Sequence, residues 1–306
     1  MNILKWMKKE NSGLARTTLE FAKYEELAGH HVCVKQPSED MPLWGIEKDT
    51  DIHTVHSQIN PRVYSDGKPK IMYMHGEPLS SVGNGISMKA IVDLAPMIDA
   101  FICMRKEEWP VWNSIKRTYL IPKGIDLDIF MPTKGTEKLT GEPSVLYIEN
   151  WRGSRNPLYL CIAMAEVHKE LPNARLHLYN CTDKRMMETF QGLIKNNKWW
   201  TFIRSLQGAV ENVNELYSKI DMVVSCLFPL YARGIEAFGA GKAFIGPGYK
   251  VDDYPYQCDL DPHSMAQAII KCWKEYGSVD FRKWAETHHN VKESVKQALE
   301  VYERYV

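Results

Sequence analysis

Nowhere in its 306 residues does this chain hold a run of about 18 apolar residues, the length a membrane-spanning helix requires. The amino-terminal stretch Met1-Asn-Ile-Leu-Lys-Trp-Met-Lys-Lys9 lacks the longer apolar core of a secretion signal. Net charge is lacking too: 38 basic residues face 38 acidic ones, so any contact with nucleic acid or a membrane surface has to come from a local patch. The seven cysteines, at 33, 103, 161, 181, 226, 258 and 272, include no Cys-x-x-Cys pair and fall mostly in apolar segments. That pattern reads as reduced structural thiols, not a disulfide framework or a zinc site. No fixed-period repeat or low-complexity tract is present. Together these absences predict a soluble, cytoplasmic protein with a small-molecule partner, leaving peripheral membrane contact open.

What the sequence does have is alternation. Apolar strand-like runs at Asn2 to Met7, His31 to Lys35, Lys70 to Met74, Ala100 to Met104 and Tyr119 to Ile121 are interleaved with helical runs at Leu14 to Ala28, Met88 to Leu94 and Lys106 to Lys116. Pro122, Pro132, Gly135, Gly141 and Pro143 then punctuate a polar connection. Alternation restarts with strands at Val145 to Glu149, Leu176 to Tyr179, Trp200 to Ile203, Asp221 to Cys226 and Ala243 to Ile245. The helices of this half are Leu158 to Glu170, Lys184 to Lys195, Asn212 to Lys219, Ser264 to Tyr276 and Phe281 to about Tyr305. The pattern is α/β, with two Rossmann-like doubly wound parallel-sheet domains expected at 1–133 and 134–284 and a final helix, about 285–306, packing back on the first. Ligands of open parallel sheets bind beyond the carboxyl ends of the strands, so two such sheets facing each other would hold one in the cleft.

The most informative stretch is Gly234-Ile-Glu-Ala-Phe-Gly-Ala-Gly-Lys-Ala-Phe-Ile-Gly246, which joins a carboxylate, a glycine-broken helix end and an apolar strand. Glu236 near a helix start suits ligand hydroxyls, or is equally a carboxylate satisfied by backbone donors there. A phosphate loop of the Walker type is excluded, because Ala243 replaces the hydroxyl residue after Lys242 and Glu236 stands where the first glycine belongs.

This segment resembles the Glu-Ala-(Met/Phe)-Ala-x-Gly-Lys-Pro-Val-Ile segment of retaining glycosyltransferases of family 4. The order of signals along the whole chain is similar to that family and its GT-B fold. The resemblance implies that Glu236 grips the ribose of a nucleotide-sugar donor; Arg233 and Gly234 beside it are expected donor-binding residues. Asn11-Ser-Gly-Leu14 matches the family's glycine loop, with Gly13 letting the diphosphate approach a helix start, and Gly29-His-His-Val-Cys-Val matches the end of that first unit. His75, in His-Gly-Glu-Pro after a strand, matches the histidine that hydrogen-bonds the transferring sugar, with Glu77 beside it. Ile121-Pro-Lys-Gly-Ile-Asp-Leu-Asp-Ile-Phe-Met-Pro132 resembles the exit from the first domain, where Gly124 is expected to supply a positive φ and Phe130 to pack, while Lys123 departs from the usual Asn. In Glu149-Asn-Trp-Arg-Gly-Ser-Arg-Asn-Pro157, Arg155 falls on the family's Lys position and Arg152 stands in for its Arg, both clasping the donor diphosphate. The largest departure is Phe228, where the family has a second Glu that contacts the sugar; Tyr231, Arg233 or backbone groups near Gly234 are the candidates to replace it.

The resemblance therefore implies a metal-independent, hexosyltransferase-type enzyme that uses a UDP- or GDP-linked sugar and no further cofactor. His75, Arg152 and Arg155 would serve the reaction, with a glycan, glycolipid or modified nucleic-acid base as acceptor. Basic residues Lys5, Lys8, Lys9 and Arg16 permit a polyanionic acceptor, or form a solvated face. Three Asp-x-Asp triplets, at 49/51, 126/128 and 259/261, are discounted as metal sites, and Lys195-Asn-Asn-Lys-Trp-Trp200 reads as a loop entering a strand. The alternatives are a nucleotide-sugar epimerase on the same fold and a nucleotide-sugar binding protein without turnover.

Overall fold

The computed structural model describes residues 1–6, 13–35, 49–56, 66–75, 88–149, 157–181, 183–226, 232–247, 249 and 253–306. The chain forms two compact α/β units, Met1–Asp126 with His288–Val306, and Leu127–Thr287, each built on a wholly parallel sheet; the fold is GT-B.

In the first unit, β1 (Asn2–Trp6), β2 (His31–Lys35), β3 (Ile52–His56), β4 (Lys70–Met74), β5 (Ala100–Cys103) and β6 (Thr118–Leu120) lie in the order β2-β1-β3-β4-β5-β6. The order reverses between β1 and β3, which makes their carboxyl ends the switch-point crevice of this sheet. Side chains alternate between two buried faces. Ile3, Ile52, Ile71, Tyr73, Ala100 and Ile102 pack on one side with Phe21 and Tyr24 of α1 (Gly13–Leu27), and Leu4, Trp6, Val55, Met72, Met74 and Phe101 pack on the other. The first face is completed from the far end of the chain by Val291, Val295, Ala298 and Tyr302 of α10 (Val291–Tyr302).

Lys5 is not part of an exposed basic face. Pleat alternation sends it to the α1 side, where it is fully buried with Nζ 2.9 Å from Glu25 Oε1 and 3.3 Å from Thr54 Oγ1. Arg16 is exposed, and Lys8 and Lys9 lie outside the described residues.

The single helix expected from 281 to 305 is two, α9 (Phe281–His288) and α10. The interruption arises because the backbone at His289 and Val291 bonds Ile125 instead of continuing the helix ladder, and Asn290 caps α10 by accepting from the Lys292 N–H. Gly124 sits at this crossing for a reason other than the positive φ expected of it. Its φ is not positive, and a Cβ there would lie 2.3 Å from Val291 Cα. Gly124→Ala should therefore lower stability by about 1–3 kcal/mol, seen as a lower urea midpoint at unchanged slope; an unmoved midpoint would mean the two backbones separate at little cost.

In the second unit, β7 (Ser144–Tyr147), β8 (Arg175–Leu178), β9 (Ile203–Leu206), β10 (Met222–Val224) and β11 (Ala243–Ile245) lie in the order β11-β10-β7-β8-β9. The switch point falls between β7 and β10. α4 (Leu158–Glu170) packs on α8 (Pro262–Lys274), while α5 (Lys184–Asn196), α6 (Val213–Ser218) and α7 (Ala232–Gly239) supply the other crossovers. The expected strand at Trp200 to Ile203 is displaced to 203–206. Lys198 takes a left-handed conformation (φ 57°) and Trp199–Thr201 form a 3-10 turn, with Trp199 buried beside Phe190 and Trp200 exposed. Phe130 packs as expected, buried against Tyr217. The seven cysteines are unbridged, and six of them are buried.

Candidate functional site

In the second unit the chain leaves β10 and enters α7 at the switch point. Arg233 and Glu236, three residues apart, share one face of that helix. The Glu236 carboxylate is buried, and its Oε2 accepts from Arg233 Nη1 at 2.8 Å and from the Tyr217 hydroxyl at 2.9 Å. Tyr217 reaches it from α6 and is itself fully buried. Burial, and then the Glu236 charge, push the Tyr217 phenol well above its ordinary value, so the hydroxyl stays a donor. Burial pulls the Arg233 guanidinium down, but the negative charge of Glu236, with that of Glu149, outweighs it and raises the pKa. Glu149 is a second buried carboxylate, just past the carboxyl end of β7. The two described carboxylates at this switch point are thus offset by a permanently charged guanidinium.

The expectation for Glu236 needs correcting. α7 begins at Ala232, so Glu236 stands in its second turn, and the donors named here are side chains, not backbone groups at a helix start. These two donors pin the orientation of the carboxylate. Gly234 is buried, and the space its side chain would need is taken by Phe244, whose ring atoms lie 2.4–2.6 Å from where a Cβ would be. Its lack of a side chain is explained by that packing.

At the carboxyl edge of the first sheet, Gly13 is the first residue of α1 and His75 follows the last residue of β4. His75 Nε2 lies 3.0 Å from Nδ1 of His56, the last residue of β3. Burial, then the cations Lys123 and Arg105, hold the His75 imidazole down at about 3, so it is neutral at physiological pH. Arg105, two residues past β5, is paired with Glu108 at 2.8 Å. Lys123, at the position where the family carries Asn, thus contributes positive charge near His75.

Arg152 and Arg155, together with Glu77, Phe228 and Tyr231, lie outside the described residues. Arg233 and Glu236 are brought into contact; Gly13 and His75 share the carboxyl edge of the other sheet. The sequence reading missed two residues. Tyr217 had no local signal, and His56 sits on β3, a strand that went unread. The Asp-x-Asp triplets have structural partners: Asp126 takes Lys23 Nζ at 2.5 Å and the Tyr24 hydroxyl at 2.9 Å, Asp51 takes the Asn2 N–H, and Asp261 caps α8. Among the described residues no three His, Cys, Asp or Glu side chains are grouped to hold a metal, and no described helix is long and apolar enough to cross a membrane.

No protein-family model matches this sequence. No curated protein matches it either. Solved structures do match in fold. The chain is similar to sucrose-phosphate synthase from Thermosynechococcus elongatus, with a TM-score of 0.78 at 13% identity over 99% of this chain and 98% of that one. It is similar to a glycosyltransferase from Rickettsia africae, with a TM-score of 0.75 at 16% identity over 99% and 98% of the two chains. It is also similar to Anabaena HepE, solved in complex with UDP-glucose, with a TM-score of 0.73 at 12% identity over 99% of this chain and 100% of that one.

Proposed function

We propose that this chain is a metal-independent, retaining glycosyltransferase of the family 4 type that moves a hexosyl group from a UDP- or GDP-linked donor to an acceptor hydroxyl in the cytoplasm. The observation that carries the reading is the buried Glu236 pinned by Arg233 and Tyr217 on the helix leaving the β7/β10 switch point. A fixed carboxylate is the acceptor that a ribose with two hydroxyls requires. The structural neighbour solved with UDP-glucose supports a donor of that class.

In this reading Glu236 anchors the nucleoside and Arg233 holds Glu236. The start of α1 at Gly13 and the side chains of Arg152 and Arg155 stabilise the charge that develops on the departing diphosphate. His75 gives a hydrogen bond to the transferred sugar. The acceptor oxygen attacks the anomeric carbon on the face that the diphosphate leaves, and the diphosphate takes the acceptor proton. The acceptor is a glycan, a glycolipid or a hydroxylated nucleic-acid base. A second reading, donor binding without turnover, is favoured by one observation, Phe228 at the position of the family's sugar-contacting Glu.

Thermal melts with UDP-, GDP- and ADP-sugars and the free nucleotides test the donor site. At one hundred times Kd a selective ligand stabilises by about 2.7 kcal/mol, and Glu236→Gln, which keeps the volume, should remove that shift. A panel with no selective shift, or a shift that survives Glu236→Gln, would sink the donor-site reading. Nucleoside diphosphate release separates transfer from binding without turnover.

A further inference from the structure

We infer that His56 is a positioning residue that fixes the tautomer of His75, so that His75 presents its Nδ1–H as a hydrogen-bond donor at the carboxyl edge of the first sheet. The assignment rests on the reading of His75 as a ligand-contacting residue. It adds the group that sets how His75 makes that contact.

The geometry begins with register. β3 and β4 are parallel neighbours with His56 opposite Tyr73, and His75 follows Tyr73 by two residues, so all three rings share one face. The His56 ring is fully buried and stacks on Tyr73, with centroids 4.3 Å apart and planes 13° apart. Tyr73 cannot swing away, because its hydroxyl is hydrogen-bonded to the Tyr302 hydroxyl. The Tyr302 hydroxyl also donates to Glu25 Oε1 at 3.2 Å, and Glu25 is ion-paired with Lys5 at 2.9 Å. His56 is thereby clamped by side chains from β4, α10, α1 and β1 in turn.

Among the described residues its side chain makes one hydrogen bond, from Nδ1 to His75 Nε2 at 3.0 Å. With both imidazoles neutral, one of those two nitrogens carries the proton and the other accepts it. The remaining His56 nitrogen, Nε2, is buried, and no described residue pairs with it. A buried N–H without an acceptor is rarer in folded proteins than a buried acceptor without a donor. The His56 proton therefore sits on Nδ1 and is donated to the Nε2 lone pair of His75. Neutral His75 must then carry its own proton on Nδ1. In this state His75 donates to an oxygen and takes up no proton at Nε2, the role of a residue that orients a sugar hydroxyl, not that of a general base.

The test is a two-bond proton–nitrogen correlation on the full chain labelled with 15N-histidine, at neutral pH. Signals are assigned by their loss in His56→Gln and His75→Ala. The expected spectrum shows both residues protonated at Nδ1 and bare at Nε2. A His75 signal protonated at Nε2, or a His56 signal protonated at Nε2, overturns the inference, and the unmutated protein alone decides this. In His56→Phe, which has no donor, His75 should lose the single-tautomer pattern. In His56→Gln, whose amide N–H replaces the donor, His75 should keep it; a His75 pattern unchanged in His56→Phe also overturns the inference.

UDP release from UDP-glucose with water as acceptor supplies the functional arm. His56→Phe should lower kcat about tenfold, one hydrogen bond's worth, with KM moved less than threefold and most of the loss recovered in His56→Gln. If His75→Ala leaves UDP release unchanged, the ligand role of His75 fails, while the spectra still decide the tautomer.

Discussion

Lys5→Met, made with Glu25 left in place, should cost the first unit about 3–5 kcal/mol, a large share of the 5–15 kcal/mol typical of a domain. Both side chains are fully buried. Burial pulls the Lys5 pKa down and pushes the Glu25 pKa up, and each charge partly offsets the shift of the other. Removing the ammonium strands a carboxylate among apolar groups, where only the Tyr302 hydroxyl is a described donor to Oε1. Glu25→Gln should cost less than Lys5→Met. The ammonium it leaves behind still has Thr54 and the faces of Phe21, Tyr73 and Tyr302, whose centroids lie 5.8, 5.6 and 5.9 Å from Nζ. The double variant Lys5→Met with Glu25→Leu should recover most of the loss, since well-packed apolar replacement of a buried pair is often neutral. Urea midpoints and slopes for the unmutated protein, Lys5→Met, Glu25→Leu and the double variant close the cycle that gives the coupling. Single-variant losses below 1 kcal/mol would show that the pair is solvated.

That pair also shows where the sequence was readable and where it was not. β2, β4, α2 (Met88–Leu94), α4 and β11 have the limits that apolar periodicity predicts. Their neighbours differ by a few residues at the ends. β3 was unreadable because Ile52-His-Thr-Val-His56 looks half polar, yet every residue in it is buried. Each of its polar side chains has a partner distant in sequence: Trp6 for His53, Lys5 for Thr54, His75 for Nδ1 of His56. A lysine in a short amphipathic run reads as surface for the same reason; its partner Glu25 lies on a different element. At the candidate site, Arg233 and Glu236 were legible as i,i+3 neighbours within one motif. Tyr217 was not, because its hydroxyl arrives from another helix. Gly124 was legible as a required glycine but not for its reason, which is the approach of Val291 from the far end of the chain.

Acidification from pH 7 to pH 5 should destabilise the first unit by about 3–5 kcal/mol through His75 and His289 alone. Both are held neutral chiefly by burial: His75 down to about 3, and His289, hydrogen-bonded to the Lys123 carbonyl at 3.1 Å, down to about 4. In the unfolded chain each takes up its proton near 6.5, so across this window the unfolded state binds protons that the folded state refuses. The stability they contribute is complete above about pH 6.5 and is lost as pH falls toward 4 and then 3, each accounting for about 2 kcal/mol by pH 5. His56, lowered by burial and then by Lys5, and His53, lowered by burial despite its contact with Asp66, act in the same direction. Glu25 opposes them, because burial raises its carboxyl and protonation on acidification relieves a buried charge. Asp66, whose pKa is lowered, remains ionised in both states across most of this window. Urea midpoints at pH 7 and pH 5 measure the sum, and His289→Gln should shrink the difference between them by about 2 kcal/mol. A pH difference left unchanged by His289→Gln would mean that this histidine titrates as freely in the folded protein as in the unfolded chain.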